Sequence, residues 1–336
     1  MRKLPVLAAF GALALTALTA CGSNEDSGDG KGTTSLTIAA PQGGVMPVDF
    51  RAGVERGIFK KHGLDIKVKT LATGLDDISA AVQGSADIGY SDIFGGASAR
   101  GNGFDVSLVA PHNANTRLNY LLVPRNSKIR KPADLKGKTI AIGAPPLFRT
   151  NASTILRDAG VDPADVTFTL VKDQTTFGAL LKSGQVDAAS VISTIHAEKW
   201  IAQEGFRPVL DPGASVHGMP LDVPVAGWWA TRDWFDANTK TAQRFTAAVE
   251  ETHRWFKDLP PKQQADYVKE QSGADPVVLD REFPGLLNKL TVDAYSPAPG
   301  VVDKSKLGRW LATGHKFAKV PSIPLGQLLL PTVRTK

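Results

Sequence analysis

From residue 36 onward, short apolar runs alternate with stretches in which apolar side chains recur every three or four positions. Residues 36–40 read as a strand, and 48–61 as one helix with Val54, Ile58 and Phe59 on one side and Gly63 as its stop. Residues 65–71, Asp-Ile-Lys-Val-Lys-Thr-Leu, alternate with period two, as a half-buried strand does. A helix over 75–83, a strand over 87–90, a helix over 93–100 and a strand over 106–110 follow. The same grammar then restarts: strand 139–142, helix 149–159, strand 166–170, helix 177–182, strand 188–192 and helix 195–204. Strands alternating with helices predict a largely parallel sheet covered on both faces, here twice over, which sets the fold class as α/β with two lobes.

Two extended apolar segments bracket the second lobe, 119–124 (Asn-Tyr-Leu-Leu-Val-Pro) and 223–231 (Val-Pro-Val-Ala-Gly-Trp-Trp-Ala-Thr). They are expected to carry the chain across and back. Beyond them helices are predicted over 232–237, 241–258, 261–271, 276–283 and 305–314, buttressing the first lobe. In the 241–258 helix Phe245, Val249, Thr252 and Phe256 fall at three and four spacing and read as core. The chain also echoes itself. Gly84-Ser85-Ala86-Asp87-Ile88 stands against Gly184-Gln185-Val186-Asp187-Ala188, each a helix end, a glycine stop, an aspartate and a strand. Gly63-Leu64-Asp65 and Gly160-Val161-Asp162 form a second pair. Either a repeat or the ordinary chemistry of helix-to-strand turns accounts for the echo.

The N-terminus changes the picture of where the chain works. Arg2 and Lys3 precede an apolar run over 4–17, which ends at Leu18-Thr19-Ala20-Cys21. This resembles a bacterial lipoprotein signal with its lipobox, cut before Cys21, so residues 1–20 are expected to be removed and Cys21 lipidated. About 14 apolar residues fall short of the roughly 20 that a helix needs to cross a bilayer. In lipoproteins of this kind the cysteine carries several acyl chains, and several chains hold where one would slip off. Residues 21–34 offer no aliphatic or aromatic side chain to bury and read as a disordered tether.

About 300 residues remain, enough for two cores by the usual size prior. Cys21 is the chain's one cysteine; once lipidated, it leaves no thiol for a disulfide, a nucleophile or a metal. The formal net charge is +6, and it is spread without dense basic blocks, so no nucleic-acid face is indicated.

Several short motifs occur in a specific order: Gly57-Ile58-Phe59-Lys60-Lys61-His62-Gly63-Leu64-Asp65, Gly84-Ser85-Ala86-Asp87-Ile88-Gly89, Leu121-Leu122-Val123-Pro124, Ala133-Asp134-Leu135-Lys136-Gly137-Lys138-Thr139-Ile140-Ala141 and Gly184-Gln185-Val186-Asp187-Ala188. By them the chain resembles the solute-binding proteins of ABC importers in the nitrate, sulfonate, taurine and thiamine-precursor group. The resemblance implies the type II periplasmic binding protein fold: two Rossmann-like lobes joined by two crossing segments, with C-terminal helices packing on the first lobe. Lobe 1 would span 35–120 and 228–336, and lobe 2 would span 121–227. It further implies a ligand in the cleft between the lobes, delivery to a membrane permease with a cytoplasmic ATPase, an extracytoplasmic location and a monomer.

In open α/β sheets ligands sit beyond the carboxyl ends of the strands, near unpaired backbone N–H groups and helix N-termini. Four loops qualify. Gly43 and Gly44, with Val45 and Met46, would let the backbone approach a small molecule closely. After Tyr90, Ser91 and Asp92 offer a hydroxyl and a carboxylate at a helix start, where Asp92 serves either as an N-cap or as a contact. Phe148, Arg149 and Thr150 open a helix whose N-terminus suits an anion, with Arg149 either forking onto a sulfonate or carboxylate or pointing to solvent. Ser193 and Thr194 stand where members of the resembled group often have Trp-Asp-Pro-Phe, which weakens the case for taurine. His112 and Asn113 follow a strand and either contact ligand or cap the turn. Trp228 and Trp229 must point to opposite faces of their strand, so one lines the cleft while the other packs; the pattern does not choose between them, and Trp228 is named as the candidate.

A hydrolase or transferase needs an activated nucleophile or an acid/base pair. No Gly-x-Ser-x-Gly, P-loop or His-Glu-x-x-His motif is present, and the six histidines show no metal-ligand spacing. The expectation is a binder without metal or cofactor that captures a small organic anion, sulfonate-like or nitrate or carboxylate. The alternatives are a neutral heteroaromatic, such as a thiamine pyrimidine precursor stacked on Phe94, Phe148 or a tryptophan, and a lipoprotein that binds a partner protein and carries nothing.

Overall fold

The computed structural model describes residues 32–41, 47–112, 120–192, 197, 200–201, 204–210, 216–219, 223–272, 277, 281 and 301–336. Among them ten strands form two five-stranded sheets. The first sheet contains β1 (Thr34–Pro41), β2 (Leu64–Leu71), β3 (Ile88–Asp92), β4 (Val106–His112) and β10 (Ala226–Thr231), in the order β2-β1-β3-β10-β4. The second contains β5 (Tyr120–Pro124), β6 (Thr139–Gly143), β7 (Thr167–Val171), β8 (Ala188–Val191) and β9 (Phe206–Pro208), in the order β7-β6-β8-β5-β9.

The two orders are the same pattern. In each sheet three parallel strands are followed by one antiparallel strand, β10 or β5, that belongs to a crossing segment. The two extended segments predicted at 119–124 and 223–231 are therefore ladder members, each pinned between two neighbours. β9 was not foreseen, because three residues at a sheet edge carry too little alternation to be read.

Helices cover the sheets: α1 (Val48–Glu55), α2 (Ile58–Lys61), α3 (Gly74–Val82), α4 (Ile93–Gly101), α5 (Pro146–Asp158), α6 (Phe177–Ser183), α7 (Arg232–Ala237), α8 (Thr239–Lys257), α9 (Pro261–Ser272), α10 (Lys304–Ala318) and α11 (Leu325–Leu328). The single helix expected over 48–61 is two, because Gly57 takes a left-handed φ of 76° between α1 and α2 and turns the chain.

The apolar stripe of α8 packs as its spacing predicted. Phe245 and Val249 lie in one buried cluster with Phe50, Phe59, Tyr90 and Trp228. The C-terminal chain seats on the first lobe, where the Leu330 N–H donates to the Leu108 carbonyl at 3.0 Å and Thr332 bonds the Val109 carbonyl at 2.6 Å. The last long helix also reaches further than expected. α10 packs against α5 of lobe 2 and, through Trp310 and Gly314, onto Phe94 of α4. One buried cluster thus includes Phe94, Trp229 and Trp310 together with Leu121, Phe148 and Ile155 of lobe 2. Among the described residues no helix is long and apolar enough to cross a membrane.

Candidate functional site

The carboxyl ends of β1, β3 and β4 in one lobe, and of β6 and β8 in the other, are where such sheets leave backbone groups free for a ligand. Gly43, Gly44, Val45, Met46, Asn113, Ser193 and Thr194, all named for this edge, lie outside the described residues, as does Cys21. The other candidates fall into four groups.

Ser91 and Asp92 end β3. Asp92 is the N-cap of α4, and its Oδ1 accepts the N–H of Phe94 at 3.0 Å and of Gly95 at 2.9 Å. Burial pushes its carboxyl up to about 6 against the pull of those two N–H groups. The positive end of α4 is thus already met by the chain's own carboxylate. The Ser91 hydroxyl is buried and has no hydrogen-bond partner among the described residues. It sits where a side chain at Gly74 or Gly95 would strike it, at 2.8 and 2.7 Å. Asp77, in the first turn of α3, is fully buried with both carboxylate oxygens unpartnered among the described residues. Burial, with Asp76 adding, pushes it up to about 8, so it stands neutral at pH 7.

His112, the last residue of β4, is buried and bonded on both ring nitrogens. Nδ1 faces the Tyr90 hydroxyl at 3.0 Å, and Nε2 faces Asp49 Oδ1 at 3.0 Å. Asp49 comes from the first turn of α1, and its other oxygen lies 3.2 Å from His253 Nε2 on α8. Burial alone would raise the Asp49 carboxyl, but the charge and hydrogen bond of His112, with the charge of His253 and the Phe50 N–H, together outweigh it and hold the group at about 2. Burial pushes His253 down to about 4 against the attraction of Asp49. The Tyr90 hydroxyl is raised well above its usual range by burial and by the carboxylates of Asp49, Asp92 and Asp77. His112 was singled out for a ligand or a turn; the fold makes it one member of a buried polar cluster instead. Asp49 and His253 were not among the candidates, and Tyr90 entered only as the residue that opens the Ser91–Asp92 loop. Only His253, a polar residue beside the apolar stripe of its helix, carried any signal.

Phe148, Arg149 and Thr150 open α5 at the end of β6, but none presents a free group to a cleft. Phe148 is buried against Gly143, and Thr150 is buried with its hydroxyl donating to the Pro146 carbonyl at 2.9 Å. The exposed guanidinium of Arg149 donates through Nε to the Phe317 carbonyl at 3.0 Å and lies over the Phe168 ring at 4.6 Å. What remains is the helix start itself, since Pro145 provides no side-chain cap. Trp228 is enclosed as well. Both tryptophans of β10 are fully buried, Trp228 among Phe50, Tyr90 and Phe245 at 4.3, 4.8 and 5.6 Å, and Trp229 with its Nε1 donating to the Ser91 carbonyl at 3.2 Å. They point to opposite faces as predicted, but helices cover both faces. Phe94 is likewise buried, under Trp310.

The sequence profile described as NMT1/THI5 like matches residues 50–262. The chain belongs to the NMT1/THI5-like family. Among solved structures, this NMT1/THI5-like chain is similar to the alkanesulfonate-binding protein SsuA from Xanthomonas axonopodis pv. citri bound to MOPS, at 18% identity and a TM-score of 0.69 over 91% of this chain and 99% of that one. It is similar to the periplasmic aliphatic sulphonate binding protein SsuA from Escherichia coli, at 19% identity and a TM-score of 0.67 over 90% and 94%. The desulfurization enzyme DszB also shares the fold, at 16% identity and a TM-score of 0.61 over 88% and 96%. No curated protein sequence matches the chain. The family match and the shared two-lobed fold bear out the resemblance read from the motifs.

Proposed function

We propose that this NMT1/THI5-like protein is a lipid-anchored, extracytoplasmic solute-binding component of an ABC importer. It captures a small organic anion, sulfonate-like or nitrate or carboxylate, between its lobes and hands it to a membrane permease driven by a cytoplasmic ATPase. The observation that carries this reading is the repeated strand order, with one antiparallel crossing strand inserted in each sheet. That order aligns the carboxyl ends of three parallel strands in each lobe, where ligands of open α/β sheets bind. The Xanthomonas relative holds MOPS, a sulfonate. In this chain the anion's partner is the uncapped start of α5, because Asp92 already occupies the start of α4. Cys21, at the end of Leu-Thr-Ala-Cys, supplies the anchor. The protein acts as a monomer and passes its ligand on unchanged. The relatives include an enzyme, DszB, so the fold by itself does not decide against catalysis.

One observation favours a second reading, a neutral heteroaromatic ligand: Arg149, the charge meant for an anion, is committed to the Phe317 carbonyl, while Ser91 and the neutral Asp77 offer unpartnered hydrogen-bonding groups.

Native mass spectrometry of the purified chain, with identification of whatever denaturation releases, separates these readings. One small sulfonate or carboxylate per chain is the expected result. A neutral ring would carry the second reading, and a co-isolated protein with no small molecule would contradict both.

A further inference from the structure

We propose that Asp49, His112 and His253 form a divalent transition-metal site inside lobe 1, at the carboxyl edge of its sheet. Three elements far apart in the chain deliver these residues: the first turn of α1, the end of β4 and the inner face of α8. Each is buried, at 3%, 7% and 6% exposure. One ligand atom from each can be chosen so that all lie within 4.8 Å of one another.

Two of the contacts are near a metal's spacing, and the widest separation, up to 4.8 Å, would have to close as an ion draws the side chains in. Zinc binds imidazole nitrogen and carboxylate oxygen at about 2.0–2.2 Å, so neighbouring ligand atoms around it stand roughly 3.0–3.5 Å apart. The carboxylate of Asp49 lies between the two imidazoles, Oδ1 at 3.0 Å from His112 Nε2 and Oδ2 at 3.2 Å from His253 Nε2. The second contact is not a formed hydrogen bond: His253 Nε2 is buried without a hydrogen-bond partner among the described residues, although it faces a carboxylate. A buried nitrogen in that position has an unused lone pair or proton, and a shared metal ion would use the lone pair.

His112 carries the support that metal-bound histidines have. Its Nδ1 meets the Tyr90 hydroxyl at 3.0 Å, and a hydroxyl can donate or accept, so it serves the tautomer that bonds Asp49 and the one that frees Nε2 for a metal. Two imidazoles with one carboxylate select zinc, cobalt, nickel or copper over magnesium or calcium, which prefer all-oxygen sites. A metal here would tie α1 and α8 to the end of β4, where the chain leaves for lobe 2.

The test uses the full chain purified without a histidine tag, stripped with chelator and then incubated with Zn2+ or Co2+ alone. The expected result is one zinc per chain retained through dialysis, a raised thermal midpoint, and visible d–d absorption from the cobalt form. His253→Gln should lose all three while folding. His62→Gln should lose none, since it removes the half-buried His62 beside Glu251, the competing pair nearer the surface. If the wild-type chain retains no metal, or if it retains metal equally in His253→Gln, the proposal fails, and the cluster is a hydrogen-bonded part of the core.

Discussion

Asp87 holds Thr37 at both of its backbone polar groups: its Oδ2 accepts the Thr37 N–H at 2.7 Å, and its own N–H donates to the Thr37 carbonyl at 2.8 Å. In lobe 2, Asp187 does the same to Thr139, at 2.9 Å for each bond. Both aspartates follow a glycine stop in a left-handed conformation, Gly84 with φ 71° and Gly184 with φ 73°, so the echo in the sequence is one structural device used twice.

These two clamps should cost different amounts to remove. Asp87→Ala orphans the Thr37 N–H and also the Trp234 indole, which donates to Asp87 at 3.0 Å. A loss of about 2 kcal/mol is expected for it, against about 1 kcal/mol for Asp187→Ala. Chemical denaturation of both variants checks the order, and equal losses would count against the added role of Trp234.

Asp77 gives a pH signature. Its folded value is about 8, above the ordinary carboxylate value, so between about pH 4 and 8 the folded chain holds a proton that the unfolded chain has lost. Stability from this group therefore falls as pH rises through that window, by up to about 1.4 kcal/mol per unit. Asp77→Asn has no such proton to lose. Its thermal midpoint should gain on the wild type as pH rises, and parallel profiles would show that the carboxyl is not held neutral.

Arg149→Ala should do little. The side chain is exposed, and its contacts with the Phe317 carbonyl and the Phe168 ring are worth roughly 0.5–1 kcal/mol. Calorimetry with a bound sulfonate should give an affinity near the wild type. A tenfold loss, about 1.4 kcal/mol, would show that the guanidinium reaches the ligand after all.

Much of the architecture was legible because the period of the apolar pattern switches cleanly between strand and helix, as at 65–71 and 75–83. The same pattern told that Trp228 and Trp229 face opposite ways. It could not tell that α1 and α8 cover one face while α4 and α10 cover the other, because burial is a tertiary fact. Gly57 was read through rather than as a break, since a glycine inside a helical period is ordinary and its left-handed φ shows only in the fold. The polar cluster was least visible: Asp49 and His112 lie 63 residues apart and no local spacing joins them. Of the candidate residues, Ser91 and Asp92 stand at the sheet edge where they were expected, while Arg149 was named for a charge that the chain spends on its own carbonyl.

A thermal-shift panel of alkane sulfonates, nitrate, aromatic carboxylates and pyrimidines tests the central claim of solute capture most directly. The account predicts that at least one small anion, present at about 100 times its dissociation constant, adds roughly 2.7 kcal/mol and raises the melting point by several degrees. No rise with any member of the panel would contradict it.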